Sequence, residues 1–284
     1  MRVRHGIYAV ATMAVLIAGL AQCSVIVDAN RTQCSTDSDC AARGPEFAGS
    51  VCAESVCQES TSWACLATPA VAPVTGTQFK VSFLVRDAVT QRPKVGLSVR
   101  LCRRLDVACV DAVSSVVTVD EQGNAAFQVD AGFNGYARFD GGDSLPGMYF
   151  FNPPVERDTM GIVISLSSPA TAAGLASLTG VTLESDRGIV LLSVVDCTGT
   201  PASGIVLAST QQDARARTFY SQQGFPSAMA TTTDDSGYGG IVNASPGTIT
   251  FSALLEQNGK KIDETTVLVQ AGTQTMTTLV PHGS

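Results

Sequence analysis

Apolar side chains occupy every second position in parts of the chain after residue 77, which is the period of a β-strand with one buried face. The clearest case is Phe79, Val81, Phe83 and Val85. Further short β-rich runs lie at residues 95–101, 113–118, 125–129, 136–139 and 148–151. Turn residues separate them, as in Asp120-Glu-Gln-Gly123, where glycine supplies a positive φ. The pattern predicts an antiparallel β domain over residues 76–166.

The same order of strands and turns recurs later in the chain. Segments that correspond are Val81–Asp87 with Val190–Asp196, Gly96–Val99 with Gly204–Leu207, and Thr118–Gly123 with Thr233–Gly237. A repeat of this size predicts two tandem domains of one fold. About seven short strands in about 100 residues favour a sandwich. We therefore expect residues 188–284 to form a second domain that folds independently.

Between the repeats, residues 167–187 carry the marks of a short helix. Ser167 and Ser168 are suited to the N-cap, Pro169 to the first turn and Gly180 to the end. The predicted fold is therefore all-β: two tandem antiparallel sandwiches, Ig-like or transthyretin-like, preceded by a small disulfide-rich segment and joined by a helical linker.

The repeated motif resembles carboxypeptidase regulatory-like domains. It consists of an apolar strand ending in Asp, a Pro-bearing turn, Gly-x-x-Val, and Thr-x-Asp-x-x-Gly before another strand. Such domains are transthyretin-like β-sandwiches common in exported bacterial proteins, and the resemblance covers about 200 of the 284 residues. Because these motifs are strand and turn signatures, the resemblance implies a fold and hardly any function.

Residues 1–22 have the pattern of a signal peptide. Arg2 and Arg4 precede an apolar run at residues 7–21, which is shorter than the ~20 residues of a membrane-spanning helix. Leu20-Ala21-Gln22-Cys23 resembles the lipobox of bacterial lipoproteins, although Gln22 stands where that motif has Gly, Ala or Ser. The resemblance implies that Cys23 is lipidated and becomes the N-terminus, with the membrane as partner through the lipid.

The arrangement of lipobox, Cys-rich segment and two such domains is similar to surface lipoproteins of myxobacteria-like Gram-negative bacteria. That similarity implies an exported protein that is lipid-anchored in the outer membrane, on its periplasmic or cell-surface face. Ser24 after the lipidated cysteine implies outer-membrane sorting, because the usual retention signal at that position is Asp.

Nine cysteines agree with export to an oxidising compartment. Lipidation of Cys23 leaves eight, an even number that disulfides consume completely, whereas cleavage after Ala21 leaves nine. The remaining eight are Cys34, Cys40, Cys52, Cys57, Cys65, Cys102, Cys109 and Cys197.

Residues 23–66, which we interpret as a Cys-rich stalk, contain Cys65 and a group of four cysteines, Cys34, Cys40, Cys52 and Cys57. These four allow three pairings, of which analogy with small knotted modules favours Cys34–Cys52 and Cys40–Cys57. Cys102 and Cys109 bracket a polar turn and are expected to bond to each other. Elimination then leaves Cys65 with Cys197.

Composition and charge exclude several functions. The formal net charge is −7 and no basic run occurs, so nucleic acid is a poor partner. The two histidines, His5 and His282, lie near the ends, which argues against a His-dependent catalytic triad and a His-ligated zinc site. Asp37 and Asp39 are candidate calcium ligands but are better interpreted as turn caps. No cofactor, metal or catalytic residue is predicted.

Tyr149-Phe150-Phe151 is the candidate ligand contact. Consecutive strand residues point to opposite faces, so at least one ring is exposed to a sugar or peptide unless another element covers it. An isopeptide bond from Lys80 to Asn134 or Asn152 is a weaker alternative to Lys80 lying on a polar strand face. We expect a non-catalytic structural or interaction protein of the cell envelope. The alternative is a carbohydrate- or peptide-binding module, and the protein or glycan ligand stays unidentified.

Overall fold

The computed structural model describes residues 32–44, 47, 50–53, 55–59, 61–67, 76–210 and 213–281. These residues are mostly β-structure, as the alternating pattern predicts. The strands are β1 (Ser50–Ala53), β2 (Val56–Glu59), β3 (Gln78–Asp87), β4 (Ser98–Arg103), β5 (Val117–Thr118), β6 (Asn124–Asp130), β7 (Gly135–Asp140), β8 (Gly147–Phe150), β9 (Thr159–Leu166), β10 (Gly188–Val194), β11 (Ile205–Ser209), β12 (Arg217–Gln222), β13 (Phe225–Ser227), β14 (Tyr238–Ala244), β15 (Gly247–Leu255), β16 (Lys261–Val269) and β17 (Gln274–Leu279). The helices are α1 (Asp37–Ala41), a 3₁₀ helix (Thr61–Ala67) and α2 (Pro169–Leu178).

The two repeats have the same strand arrangement, and the predicted all-β sandwich fold is confirmed. In the first repeat β6-β3-β9 face β5-β4-β7-β8, and in the second β14-β10-β17 face β11-β15-β16. Most neighbours pair antiparallel, but the first and last strands of each repeat, β3 with β9 and β10 with β17, pair parallel. The second repeat adds a hairpin, β12–β13, beyond β14.

The two repeats share one sheet, which the sequence did not predict. Strand β17 pairs parallel with β10 on one side and with β8 of the first repeat on the other. The result is a nine-stranded sheet in the order β13-β12-β14-β10-β17-β8-β7-β4-β5. Strand β17 is therefore an interior strand of the molecule, and independent folding of residues 188–284 stays a prediction.

The layers that cover this sheet lie on opposite faces. Sheet β6-β3-β9 packs on one face of the shared sheet, against the strands of the first repeat, and Phe83 and Phe139 lie at the centre of this core. Sheet β11-β15-β16 packs on the other face, in a core that joins Phe251 of the second repeat to Tyr136 and Phe150 of the first. Because neighbouring residues of a strand point to opposite faces, the strands at the junction contribute to both cores.

Helix α2 covers the remaining face of the second repeat. It begins and ends as predicted: the Ser168 hydroxyl accepts a hydrogen bond from the Thr171 N–H, Pro169 opens the first turn, and Gly180 follows with φ +79°. Ala176 is fully buried against Phe219 of β12 and Val242 of β14. The predicted linker is thus a packed layer. Within the described residues, no helix is long and apolar enough to cross a bilayer.

The N-terminal module, residues 34–67, is attached to the second repeat although the first follows it in the chain. Leu66 is buried in the second repeat's core, Trp63 packs against it, and the Cys197 N–H donates to the Ser62 carbonyl. The predicted disulfides are all confirmed: Cys34–Cys52, Cys40–Cys57, Cys65–Cys197 and Cys102–Cys109. The Cys65–Cys197 bond therefore closes a loop that contains the whole first repeat.

Candidate functional site

The aromatic segment offers no exposed platform of adjacent rings. Phe150 is fully buried and Phe151 is 4% exposed. Phe150 stacks on Tyr136 with centroids 4.9 Å apart, on the face toward the second repeat. Phe151 and the half-buried Tyr149 lie on the other face, where both pack against Phe83. Covering layers on both faces explain why a segment with rings on each side stays buried, so the predicted ligand contact is corrected to a packing role.

The motifs have similar spacing in the two repeats because both repeats contain the same two turns, which form no reactive site. Asp87 accepts hydrogen bonds from the backbone N–H groups of Val89 and Thr90, and Asp196 does the same for Thr198 and Thr200. Such bonds to an ionised carboxylate favour its charged form. The pKa of Asp87 falls to about 2, first through the Thr90 N–H and then also through Lys94.

The hairpin turns repeat in the same way. The carboxylate of Asp120 accepts from the N–H groups of Gln122 and Asn124, and that of Asp234 accepts from the Ser236 N–H. These contacts hold the pKa of both carboxyls below its usual value. Carboxylates committed to backbone N–H groups position turns.

Other carboxylates of the two repeats and the N-terminal segment also have structural partners. Asp140 forms an ion pair with Arg138 at 2.8 Å, and Asp143 forms one with Lys94 at 2.6 Å. Asp39 accepts from the backbone N–H groups of Ser35 and Thr36, as a turn cap does.

The isopeptide candidates do not come together. Lys80 is exposed on β3. Asn134 accepts from Arg104, whereas the Asn152 amide donates to Asp263 at 2.6 Å and to the Thr278 carbonyl at 3.0 Å. Cys23, the lipobox, Ser24 and His282 lie outside the described residues.

Arg104 joins the two repeats. Its Nη2 donates to the Thr265 hydroxyl at 2.8 Å and to the Thr266 carbonyl at 2.6 Å, both on β16. Its Nη1 donates to Asn134 and to the Phe151 carbonyl in the first repeat. Burial lowers the pKa of the guanidinium. Arginine provides five donors in a fixed planar fork, which suits it to bridging several acceptors.

A cleft of about 530 Å³ lies in the second repeat. One wall is the edge of β11, and the opposite wall is β12 together with the segment that follows β13. Its lining residues are Leu207, Ala208, Ser209, Ala216, Arg217, Thr218, Tyr220, Ala228, Ala230 and Thr231. The Oγ of Ser209 is buried and has no hydrogen-bond partner among the described residues. A buried hydroxyl without a partner is uncommon and calls for an explanation.

The first repeat fills the corresponding position with its own chain. Strand β5 pairs there with β4, Val117 opposite Val99, and the preceding residues continue along the same edge. The Leu101 N–H donates to Ser114 Oγ, and the Leu101 carbonyl accepts from the Val113 N–H.

In the second repeat the corresponding segment leaves the edge. The repeat offsets place Leu207 at the position of Val99 and Ser209 at that of Leu101. Pairing is retained at Ile205, whose carbonyl accepts from the Thr233 N–H. Beyond it, the Leu207 N–H donates to the Tyr220 hydroxyl at 2.9 Å, and the cleft opens.

Sequence reasoning did not identify this cleft. A signal was present in the repeat alignment, because the β-branched segment Val113–Thr118 corresponds to a stretch rich in Ser, Ala and Thr, residues 227–232. Small polar residues at that position are a weak indication that the strand is missing.

No family model matches the chain, and no curated protein matches it. Several solved structures are similar. One is the TIE protein of Bacillus anthracis, at 11% identity and a TM-score of 0.26, with 74% of this chain and 35% of that chain covered. This chain therefore spans about a third of that protein's length.

Two pilins are also similar in structure. GBS52, the minor pilin of Streptococcus agalactiae, has 14% identity and a TM-score of 0.25, with 72% of this chain and 96% of that chain covered. The shaft pilin SpaA of Lactobacillus rhamnosus GG has 11% identity and a TM-score of 0.24, with 73% and 99% covered. At such TM-scores the whole chains superpose poorly, so no residue role or function is transferred from them.

Proposed function

We propose that this protein is a non-catalytic structural and interaction protein of the cell envelope, exported and held at the outer membrane by a lipid on Cys23. In this proposal the N-terminal module spaces two carboxypeptidase regulatory-like sandwich domains from the membrane. The lipobox-like sequence, the even number of remaining cysteines and the apolar run at residues 7–21 support the anchor.

One observation supports the non-catalytic role above all. The carboxylates of the repeated turns, at Asp87, Asp120, Asp196 and Asp234, are occupied by backbone N–H groups or the Lys94 ammonium. General acid–base catalysis needs a carboxyl free to exchange a proton with a substrate and a pKa near the working pH. These groups have lowered pKa values and hold turns.

The anchor is tested by expressing the wild type and Cys23→Ala in a Gram-negative host and separating the membranes from the soluble fraction. We expect the wild type to enter the membrane and the detergent phase, and the variant to be soluble. Gln22→Gly, which restores the usual lipobox residue, is the matched control and should be processed at least as completely as the wild type.

Mass spectrometry of the N-terminal peptide then identifies the modification directly. A wild-type protein that is soluble and begins at Gln22 would overturn the anchor. A wild type that stays soluble while Gln22→Gly enters the membrane would assign the failure to Gln22.

A further inference from the structure

We propose that the cleft beside β11 binds an extended, uncharged segment of another protein chain, which adds to sheet β11-β15-β16 as a fourth strand. This inference rests on the proposed interaction role and names the chemistry of the partner. It does not depend on the lipid anchor. Addition of a strand to a free sheet edge is an established mode of peptide recognition, in which backbone hydrogen bonds give affinity and side-chain pockets give specificity.

The direction of the β11 backbone supports the proposal. The N–H groups of Ile205 and Leu207 donate away from β15, to Thr233 Oγ1 and to the Tyr220 hydroxyl. Backbone groups alternate between the two edges of a strand, so the N–H and carbonyl of Ser209 also point away from β15. At Leu101, the corresponding residue of the first repeat, these two groups bond to Ser114 and Val113.

The size of the cleft fits a short strand. Strands lie about 4.8 Å apart, rise about 3.4 Å per residue and fill layers about 10 Å thick, so one strand residue occupies about 160 Å³. A volume of about 530 Å³ therefore holds about three residues. That length matches the three β11 residues on its wall, Leu207, Ala208 and Ser209.

The walls indicate which side chains are accepted. Ala216, Ala228 and Ala230 are small, so they leave room for branched side chains opposite the apolar Leu207. Ser209 Oγ provides a buried hydrogen-bonding group at the end of β11. The strand that fills the equivalent position in the first repeat, Val113–Thr118, has this composition, with β-branched residues and serine and no charge.

The test uses a fluorescent peptide with the sequence of residues 113–119, VSSVVTV, which has no charged side chain, and the mature chain with its disulfides intact. Saturable binding is expected by fluorescence anisotropy. The same peptide N-methylated at Val117 keeps every side chain and loses one backbone donor, so we expect its affinity to fall at least tenfold. Amide hydrogen exchange at Ser209 should slow on binding.

Two matched protein variants locate the site. Thr231→Trp places a large side chain at the exposed mouth of the cleft and should weaken binding at least tenfold. Thr77→Trp makes the same change at an exposed residue of the first repeat and should leave binding unchanged. Circular dichroism melts show whether both variants fold. If Thr231→Trp does not fold, the hydrogen-exchange measurement at Ser209 of the wild type locates the binding site instead.

Three results would overturn the proposal. These are no saturable binding, equal affinity for the N-methylated peptide, or protection at Ser209 that rises with protein concentration alone. The last would identify a second copy of this chain as the occupant. None of these results affects membrane partitioning, so the anchor and the peptide site fail separately.

Discussion

The first and second repeats have the same strand order and the same turn hydrogen bonds, but they treat their sheet edges differently. In the first, β5 and the residues before it close the edge of β4. In the second, β11 is left beside a cleft, while the other sheet is extended by the β12–β13 hairpin. The turns therefore define the fold, and the segments between them determine which edges are available.

The repeats also differ in the packing contacts and disulfides that stabilise them. The N-terminal module and helix α2 both pack on the second repeat, and Cys65–Cys197 attaches the module covalently. The disulfide of the first repeat, Cys102–Cys109, is local, with a sequence separation of 7 against 132. We therefore expect the same kind of perturbation to have unequal effects in the two halves.

The largest difference is expected from the disulfides. In the chain-entropy model, a loop closed over 132 residues contributes about 5 kcal/mol to the free energy of unfolding and one over 7 residues about 2.5 kcal/mol. Cys65→Ser/Cys197→Ser should therefore destabilise the protein more than Cys102→Ser/Cys109→Ser. Urea denaturation followed by circular dichroism and by Trp63 fluorescence measures both. Equal losses would show that the long loop is already restrained without its bond.

The hairpin glycines test whether the repeats are equivalent. A Cβ at Gly123 would lie 2.7 Å from the Val85 carbonyl oxygen, and one at Gly237 would overlap the Val194 carbonyl oxygen. Both residues also have positive φ. Gly123→Val and Gly237→Val should each cost about 2–3 kcal/mol in the free energy of unfolding.

Gly204→Ala is the control for this pair, because Gly204 has φ +71° but open space around it. It should cost about 1 kcal/mol, from backbone strain alone. If one of the two valine variants is as stable as Gly204→Ala in a thermal melt, the repeats are not equivalent at this turn.

Arg104→Met tests the contact between the repeats. The substitution keeps an apolar stem and removes the hydrogen bonds to Thr265, Thr266 and the Phe151 carbonyl, so we expect a loss of about 1–3 kcal/mol. The exposed Arg103→Met is the control and should change stability by less than about 0.5 kcal/mol. A loss confined to one repeat, seen as a second melting transition, would show that the shared sheet separates.

The smallest effect is expected from the strand-end aspartates. Asp87 has a pKa of about 2 against 3.8 for an unperturbed aspartate. A lowered pKa stabilises the fold above about pH 4, and this contribution disappears as the pH falls toward 2. Asp87→Asn should therefore flatten the acid side of the stability curve in that range. Asp143→Asn, at a carboxyl that is 81% exposed, should change it less.

Local features of the fold were predictable from the sequence, because they depend on neighbouring residues. Strand alternation around Phe83, the helix caps at Ser168 and Pro169, and the Asp–Gly hairpins all involve contacts within a few positions. Analogy with small knotted modules favoured the pairing of Cys34 with Cys52 and of Cys40 with Cys57, the polar turn between Cys102 and Cys109 indicated the third bond, and elimination left the fourth. Strand alternation, helix caps, hairpin turns and paired cysteines can each be recognised from the residue types alone.

The shared sheet was not predictable because its signal resembles that of an edge strand. β17 carries Gln274, Thr275 and Thr277, and polar residues usually indicate a strand with a solvated face. Here all three are at most 2% exposed, and their polar atoms form internal hydrogen bonds. For example, Thr277 Oγ1 donates to the Phe150 carbonyl, and Gln274 Nε2 donates to the Ser165 carbonyl. The acceptors come from the first repeat, more than 100 positions away.

The Cys65–Cys197 bond has a mechanical consequence. The bond closes a loop of residues 66–196, which contains the entire first repeat. The covalent path from the N-terminal module therefore crosses the bond and reaches the chain just after the end of β10. The covalent path of a tensile load applied between the N-terminal module and the C-terminus crosses this bond and continues through the residues after Cys197. While the bond is intact, the first repeat carries none of that load along its backbone, and a single-molecule pull should lengthen the chain only by the residues after Cys197.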